Sequence, residues 1–150
     1  MNELIKRVCA DIITLMNSSL SEQFVEAVLN RLVSFGYCLK EDDSWAICFA
    51  IQKVENHIKN SCNVTSIPDG LFHIAVDKVC GEYLLAKKQT GKLNLSDLDL
   101  SGGAITQISE GDTTVQFAAG ASDEDKFNTL VNFLINHGEG ELVCFRQIKW

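Results

Sequence analysis

Proline, long apolar runs and clustered basic residues are all scarce in this chain of 150 residues. One proline and no Gly/Ser-rich tract argue against a flexible linker between two domains. Charged residues interrupt every apolar stretch before it reaches the length of a membrane span, so no transmembrane helix is expected. Residues 1–7 lack the pattern of a signal peptide. We therefore expect a single domain, 1–150, with no membrane partner.

Positive charge is too sparse for tight binding to nucleic acid. The net charge is −7, and residues 93–150 carry three basic against nine acidic residues, whereas 1–92 are nearly balanced. Tight binding to phosphates requires a cluster of cations, which this sequence lacks. The charge distribution therefore disfavours DNA binding as a primary function. It is compatible with an acidic wall past which DNA moves without binding.

Short cysteine spacings of the kind found in zinc sites and redox motifs are also missing. The six cysteines are widely spaced, without a CxxC, and several fall at helical positions among apolar residues. In the absence of an export signal, we expect reduced thiols that serve as small core side chains.

Motifs for catalysis are absent as well. The stretch LSGGA approximates the signature of ATP-binding cassette ATPases, but no phosphate-cradling GxxxxGK[ST] loop accompanies it. His73, Asp77 and Cys80 share one helical face and have zinc-binding side chains, with His57 or Cys62 as an imaginable fourth ligand. A simpler interpretation places Cys80 in the core and the other two at its edge. We expect no enzyme, no cofactor and no metal site.

The sequence is rich in amphipathic helical patterns. Ser66 and Ser122 are the predicted N-caps of the fourth and last helices. The run from Trp45 to Ile51 is apolar on nearly every side, which predicts that the third helix lies at the centre. Gly81 should cost up to about 1 kcal/mol relative to alanine within a helix, and this predicts close approach of another helix, the third. The predicted helices cover about residues 2–17, 22–35, 45–60, 67–90 and 123–137.

The last third changes character. Residues 92–103 alternate apolar and polar side chains but are rich in Ser, Asp and Asn, so an extended segment and a loop with one helical turn both stay open. Two β-type segments within 104–118 predict an antiparallel hairpin, which is marginal alone and should pack on the bundle or on another subunit. Residues 139–150 predict an extended tail whose aromatic residues either fold back or insert between subunits. The predicted fold is mainly α: a bundle of about five helices, a β-hairpin inserted before the last helix and an extended C-terminal tail.

Four segments resemble head-tail connector (adaptor) proteins of tailed bacteriophages and prophages of Gram-positive bacteria. They are Trp45–His57, Ile67–Leu71, Val79–Tyr83 and, most specifically, Ile108–Phe117 (ISEGDTTVQF). In this family a segment of the last type leads through a polar loop into a final helix. The likeness extends from about residue 40 to the end.

This resemblance implies a non-enzymatic subunit of a ring, typically of twelve copies, beneath the portal at the head-tail interface. The implied partners are the ring itself, the portal protein and neck, tail-completion or terminator proteins, with DNA passing through the channel without sequence-specific binding. The implied location is the neck of the virion, after synthesis in the host bacterial cytoplasm. The hairpin and the tail would contact neighbouring subunits or the portal. The interface residues so implied are Ile108, Asp112, Thr114, Val115, Phe117, Phe145, Arg146, Ile148 and Trp150.

Two alternatives stay open. One is a different neck component, such as a tail terminator or completion protein. The other is a small cytoplasmic regulator that dimerises through its helical body and hairpin. A ring subunit should form a closed multimer, by itself or only with its portal, whereas the regulator should be a compact dimer.

Overall fold

The structure, a computed structural model, describes residues 3–15, 21–95, 98 and 122–148. Helices dominate these ranges, and no strand occurs within them, so the mainly α prediction is confirmed. The predicted hairpin at 104–118 lies outside the described residues. The α-helices are α1 (Glu3–Leu15), α2 (Glu22–Ser34), α3 (Ser44–Cys62), α4 (Phe72–Gln89), α5 (Asp123–Asn136) and α6 (Glu139–Cys144).

Several helix ends follow directly from the sequence. The Ser21 hydroxyl accepts a hydrogen bond from the backbone N–H of Phe24, and Ser122 accepts one from that of Asp125. Each interaction satisfies a backbone donor that has no partner within its own helix. Gly36 follows α2 with φ of +90°, a conformation that glycine adopts without steric cost. The predicted cap at Ser122 is therefore confirmed.

The predicted cap at Ser66 is wrong. Pro68 has extended backbone, a 3₁₀ turn covers Asp69–Leu71, and α4 begins only at Phe72. Proline disfavours helical geometry in the residue before it, so Ile67 cannot continue a helix from Ser66 into Pro68. The fourth helix therefore starts about one turn later than predicted.

The central helix is α4, and the prediction that α3 occupies the centre is wrong. α4 packs against α2, α3 and α5, and its middle turns are almost completely buried. α3 packs against α1 and α4 but presents Trp45 and Phe49 to solvent. The apolar run at the start of α3 therefore has a buried face, which includes Ile47 and Cys48, and an exposed face, which includes Trp45 and Phe49.

Gly81 marks the closest approach to α4, but the neighbouring helix is α5. A Cβ atom at Gly81 would lie 2.8 Å from Cγ1 of Ile135 and 3.0 Å from Cβ of Leu134. Real Cβ atoms do not approach carbon atoms this closely, so α5 can reach this position only because residue 81 has no side chain. The predicted close approach is correct, and the predicted partner, the third helix, is wrong.

Gly81→Ala is therefore expected to destabilise the fold by about 1–3 kcal/mol, although alanine favours a helix. The clash with Leu134 involves an atom fixed to the backbone of α5, so the helices must separate. Gly140→Ala is the matched control, because a Cβ atom there meets nothing within 4 Å. Urea denaturation of both variants measures the difference. A gain in stability for Gly81→Ala would contradict this packing.

The C-terminal residues fold back on the bundle, and the prediction of an extended tail from residue 139 is wrong in part. Residues 139–144 form α6, and only the chain after Cys144 leaves the helix. The backbone N–H of Gln147 donates to the carbonyl of Cys62 at 2.7 Å, and the Asn63 side chain donates to the carbonyl of Gln147 at 3.1 Å. These bonds attach the chain end to the C-terminal end of α3.

Candidate interaction surface

The most exposed aromatic side chains of the described residues form a pair on α3. Trp45 is 67% exposed and Phe49 is 57% exposed. Their positions, four residues apart, place them on one face of the helix, where the rings stack with centroids 5.6 Å apart and planes 21° apart. Large apolar side chains that stack in solvent without a covering element are typical of a contact surface for another protein.

A shallow groove between α3 and α4 extends from this pair. Its volume is about 270 Å³, and small side chains, Ala46, Ala50 and Ala86, line much of it together with Leu85. A second groove of about 210 Å³ continues along the same two helices towards α6. Both volumes lie below the usual range for sites that bind small molecules, about 300–1,000 Å³. The two grooves therefore fit an extended contact better than an enclosed ligand.

Charged side chains in the second groove are paired with one another. Lys78 is only 3% exposed, and its ammonium group donates to the Ile135 carbonyl and, at 2.7 Å, to Glu139. His57 also approaches Glu139, at 3.2 Å, and Lys53 pairs with Glu82 at 3.0 Å. A cation at the last carbonyls of a helix complements its dipole, so Lys78 caps the end of α5.

Asp77, next to Lys78 on α4, binds the same end of α5 from the other side. Its carboxylate accepts a hydrogen bond from Arg31 at 3.0 Å and lies 3.0 Å from the His137 ring nitrogen. Together, Asp77 and Lys78 tie the C-terminal helices to the centre of the bundle. A wider groove of about 700 Å³ between α2 and α4 contains the Arg31–Asp77 pair, so its strongest charges already neutralise each other.

A third polar network is buried near the start of α3. Asp43 is 2% exposed and accepts hydrogen bonds from the Tyr37 hydroxyl at 2.8 Å, the Lys40 backbone N–H at 2.9 Å and the Lys87 ammonium at 3.2 Å. Because the Tyr37 proton points to Asp43, Tyr83 donates to the Tyr37 oxygen, 2.6 Å away. Burial is the largest cause that raises the pKa of both tyrosines well above its usual value. Both hydroxyls therefore stay neutral, and the network joins residues 37–43 to α4.

The zinc-type residues on α4 do not converge. Cys80 is fully buried with its thiol towards the Val28 carbonyl, and burial raises its pKa. Asp77 is held by Arg31 and His137, while His73 lies exposed against the Phe72 ring. The positions of Cys80 in the core and of His73 outside it match the simpler interpretation, whereas Asp77 is itself buried.

Among the described residues, one other group has metal-ligating atoms within 4.8 Å of one another: Cys9, Glu22 and Glu26. Burial, reinforced by the two carboxylates, raises the pKa of the Cys9 thiol to about 11. A thiol must lose its proton to ligate a metal, so this group is a poor site. All six cysteines are unpaired, and every thiol whose pKa is shifted is shifted upwards, which disfavours a cysteine nucleophile.

The residues implied by the resemblance to connectors are only partly described. Phe145 is half-buried and its ring packs over Gly70 of the same chain. Arg146 is exposed, and Ile148 is 77% exposed. Their role at an interface stays a prediction. The remaining implied residues lie outside the described ranges: Ile108, Asp112, Thr114, Val115, Phe117 and Trp150.

The sequence-based prediction of interface residues missed Trp45 and Phe49. Both were expected in the core, because the 45–51 run is apolar throughout. Their spacing of four residues is the only feature of the sequence that points to a separate stripe on α3. Their exposure depends on which helices pack against each face of α3, which local sequence does not record.

Comparison with protein-family models, curated proteins and solved structures found no match. Within the described ranges, no helix is both long enough and apolar enough to cross a membrane.

The Lys78–Glu139 pair predicts a dependence of stability on pH. The hydrogen bond from Lys78 is the largest cause that lowers the pKa of Glu139 from its ordinary value of 4.5. A lowered pKa in the folded state adds stability above the unfolded-state value, and this stability is lost as the pH falls through the folded-state value. We therefore expect Glu139→Gln to reduce the loss of stability between about pH 5 and pH 3.

Glu141→Gln is the control for this prediction, because Glu141 lies exposed on the same short helix. Urea denaturation at several pH values measures the dependence. If both substitutions leave the pH dependence of the wild type unchanged, Glu139 does not contribute as described.

Proposed function

We propose that this chain is a structural subunit of a ring at the head-tail interface of a tailed phage or a related particle. In this role it docks on the portal, extends the DNA channel and receives neck or tail-completion proteins. The observation that carries the proposal is the exposed Trp45–Phe49 stack beside the groove between α3 and α4. An apolar surface of this kind supports assembly with other protein chains.

Two further observations support the proposal. The resemblance to connector proteins covers about residues 40–150 and includes the helix that bears the aromatic pair. Within the described residues, burial also raises the pKa of the Cys80 thiol and of the Tyr37 and Tyr83 hydroxyls, so these groups stay neutral. This favours a structural role over catalysis.

The excess of acidic residues in the last third of the chain is compatible with the passage of DNA. Residues 93–150 carry nine acidic and three basic residues. An acidic channel wall would repel the DNA backbone and so prevent it from adhering during passage. The expected partners are therefore the portal and further copies of this chain, with DNA as a passing neighbour.

Co-expression with a candidate portal protein tests the proposal. Co-purification of the two proteins, followed by electron microscopy, should show the portal ring extended by a second ring. A chain that never joins the portal and forms only a compact dimer would contradict the proposal and favour a regulatory protein.

A further inference from the structure

Three side chains with metal-ligating atoms meet between α1 and α2. Cys9 lies on α1 and is 2% exposed, whereas Glu22 lies in the first turn of α2 and Glu26 follows one turn later. Because the two glutamates are four residues apart, they share one face of α2. The Cys9 sulfur and an oxygen of each carboxylate all lie within 4.8 Å of one another.

These three side chains have no other partners in the described part of the chain. None of them forms a hydrogen bond or an ion pair there, not even with one another. Two carboxylates four residues apart on a helix repel each other. The Cys9 thiol is buried without a partner, whereas the thiols of Cys62 and Cys80 donate to backbone carbonyls. A buried polar group without a partner, beside two unpaired anions, indicates a place for a cation.

We propose that Cys9, Glu22 and Glu26 form a binding site for zinc or another divalent ion that binds thiolate strongly. Thiolate sulfur and carboxylate oxygen are both ordinary ligands of zinc. Glu22 is exposed, so a water molecule can complete a tetrahedral set on its side. Ligation breaks the S–H bond of Cys9, forms a bond between the sulfur and the ion, and releases the proton to water.

The proton on Cys9 determines which ions can bind. Burial, reinforced by the two carboxylates, raises the pKa of this thiol to about 11, so the group is a poor site for ions that bind thiolate weakly. Mg²⁺ and Ca²⁺ prefer oxygen ligands and do not displace the proton. Zinc and softer ions do displace it, because sulfur is a preferred ligand for them. The carboxylates that keep the free thiol neutral also attract the ion.

An ion at this site links α1 to α2. α1 packs against α2 and α3, so the ion would strengthen the attachment of the first helix to the rest of the bundle. An ion that binds only the folded chain adds stability that grows with its concentration. The site is independent of the proposed function, which does not use these three side chains.

Titration of the reduced, metal-free protein with cadmium chloride tests the site through the ultraviolet charge-transfer absorption of a cadmium–thiolate bond. Cys38→Ser and Cys144→Ser first remove the two exposed thiols. In this background we expect saturation at one ion per chain. Cys9→Ala should abolish the absorption. Cys48→Ala is the matched control and should retain it, because Cys48 is also buried but burial alone raises its pKa.

Substitution of the two carboxylates gives a second test that leaves the thiol intact. Glu22→Gln combined with Glu26→Gln should weaken cadmium binding by about 100-fold or more, because even the loss of groups that merely orient ligands commonly costs 10- to 100-fold. Zinc chloride should raise the melting temperature of the wild type and leave that of this double variant unchanged. Glu3→Gln combined with Asp11→Asn, two exposed acids on α1, is the matched control and should behave as the wild type.

Three results would overturn the proposal. One is the absence of charge-transfer absorption at excess cadmium in a chain that circular dichroism shows to be helical. Another is absorption that persists after Cys9→Ala, which would place the ion on a different cysteine. The third is undiminished binding by the Glu22→Gln, Glu26→Gln variant, which would mean an adventitious ion only, held by the thiol without the carboxylates. If Cys9→Ala fails to fold, the carboxylate variant decides, because its substitutions lie outside the core.

Discussion

Asp43→Ala is expected to lower the free energy of unfolding by about 3–5 kcal/mol. The carboxylate is buried and accepts hydrogen bonds from Tyr37, the Lys40 backbone and Lys87. Its removal leaves a largely buried ammonium group without its counter-charge and removes the acceptor of the Tyr37 hydroxyl. Because this network joins residues 37–43 to α4, its loss should also loosen the start of α3.

Asp11→Ala is the matched control for Asp43→Ala, since Asp11 is an exposed residue on α1. Its effect should stay within about 0.5 kcal/mol. Equilibrium denaturation in urea measures both variants. If Asp43→Ala costs no more than Asp11→Ala, the buried network does not stabilise the fold as described.

Phe127→Ala is expected to have a comparable effect, a loss of about 3–5 kcal/mol. Phe127 is completely buried on α5, and the Lys88 ammonium of α4 lies 5.1 Å from its ring centroid. Truncation removes the full packing of the aromatic ring and leaves a cavity between the two helices. A large loss would establish that α5, although it follows residues 99–121 in the chain, belongs to the same core as α4.

Phe49→Ala is the corresponding control on the surface. Phe49 is 57% exposed, so its truncation should change the stability of the monomer by no more than about 0.5 kcal/mol. The same substitution should weaken self-association. The two phenylalanine variants therefore separate folding from assembly, and a large loss of stability for Phe49→Ala would place that side chain in the core.

Helix positions were predictable because each helix carries its own periodicity and end residues. Ser122 is an example: its hydroxyl and the acidic first turn after it specify the start of α5 locally. The start of α4 was placed wrongly because Ser66 and Asp69 matched a cap while Pro68 enforced a later beginning.

Contacts between helices were less predictable, because periodicity identifies an inward face without naming the helix it faces. Gly81 illustrates this limit, since its close neighbour is α5, more than fifty residues away in the chain. The partners of Asp77, Arg31 and His137, are equally remote in sequence. The exposure of Trp45 and Phe49 depends on the same long-range packing. The apolar composition of this segment therefore predicted buried side chains, whereas in the structure both lie on the surface.

The molar mass of the purified protein, measured by light scattering alone and with its portal, tests the central claim most directly. We predict a closed multimer, or a monomer that joins the portal ring, and the loss of this assembly when Trp45 and Phe49 are both replaced by alanine. A stable dimer that ignores the portal and survives the double substitution would contradict the account.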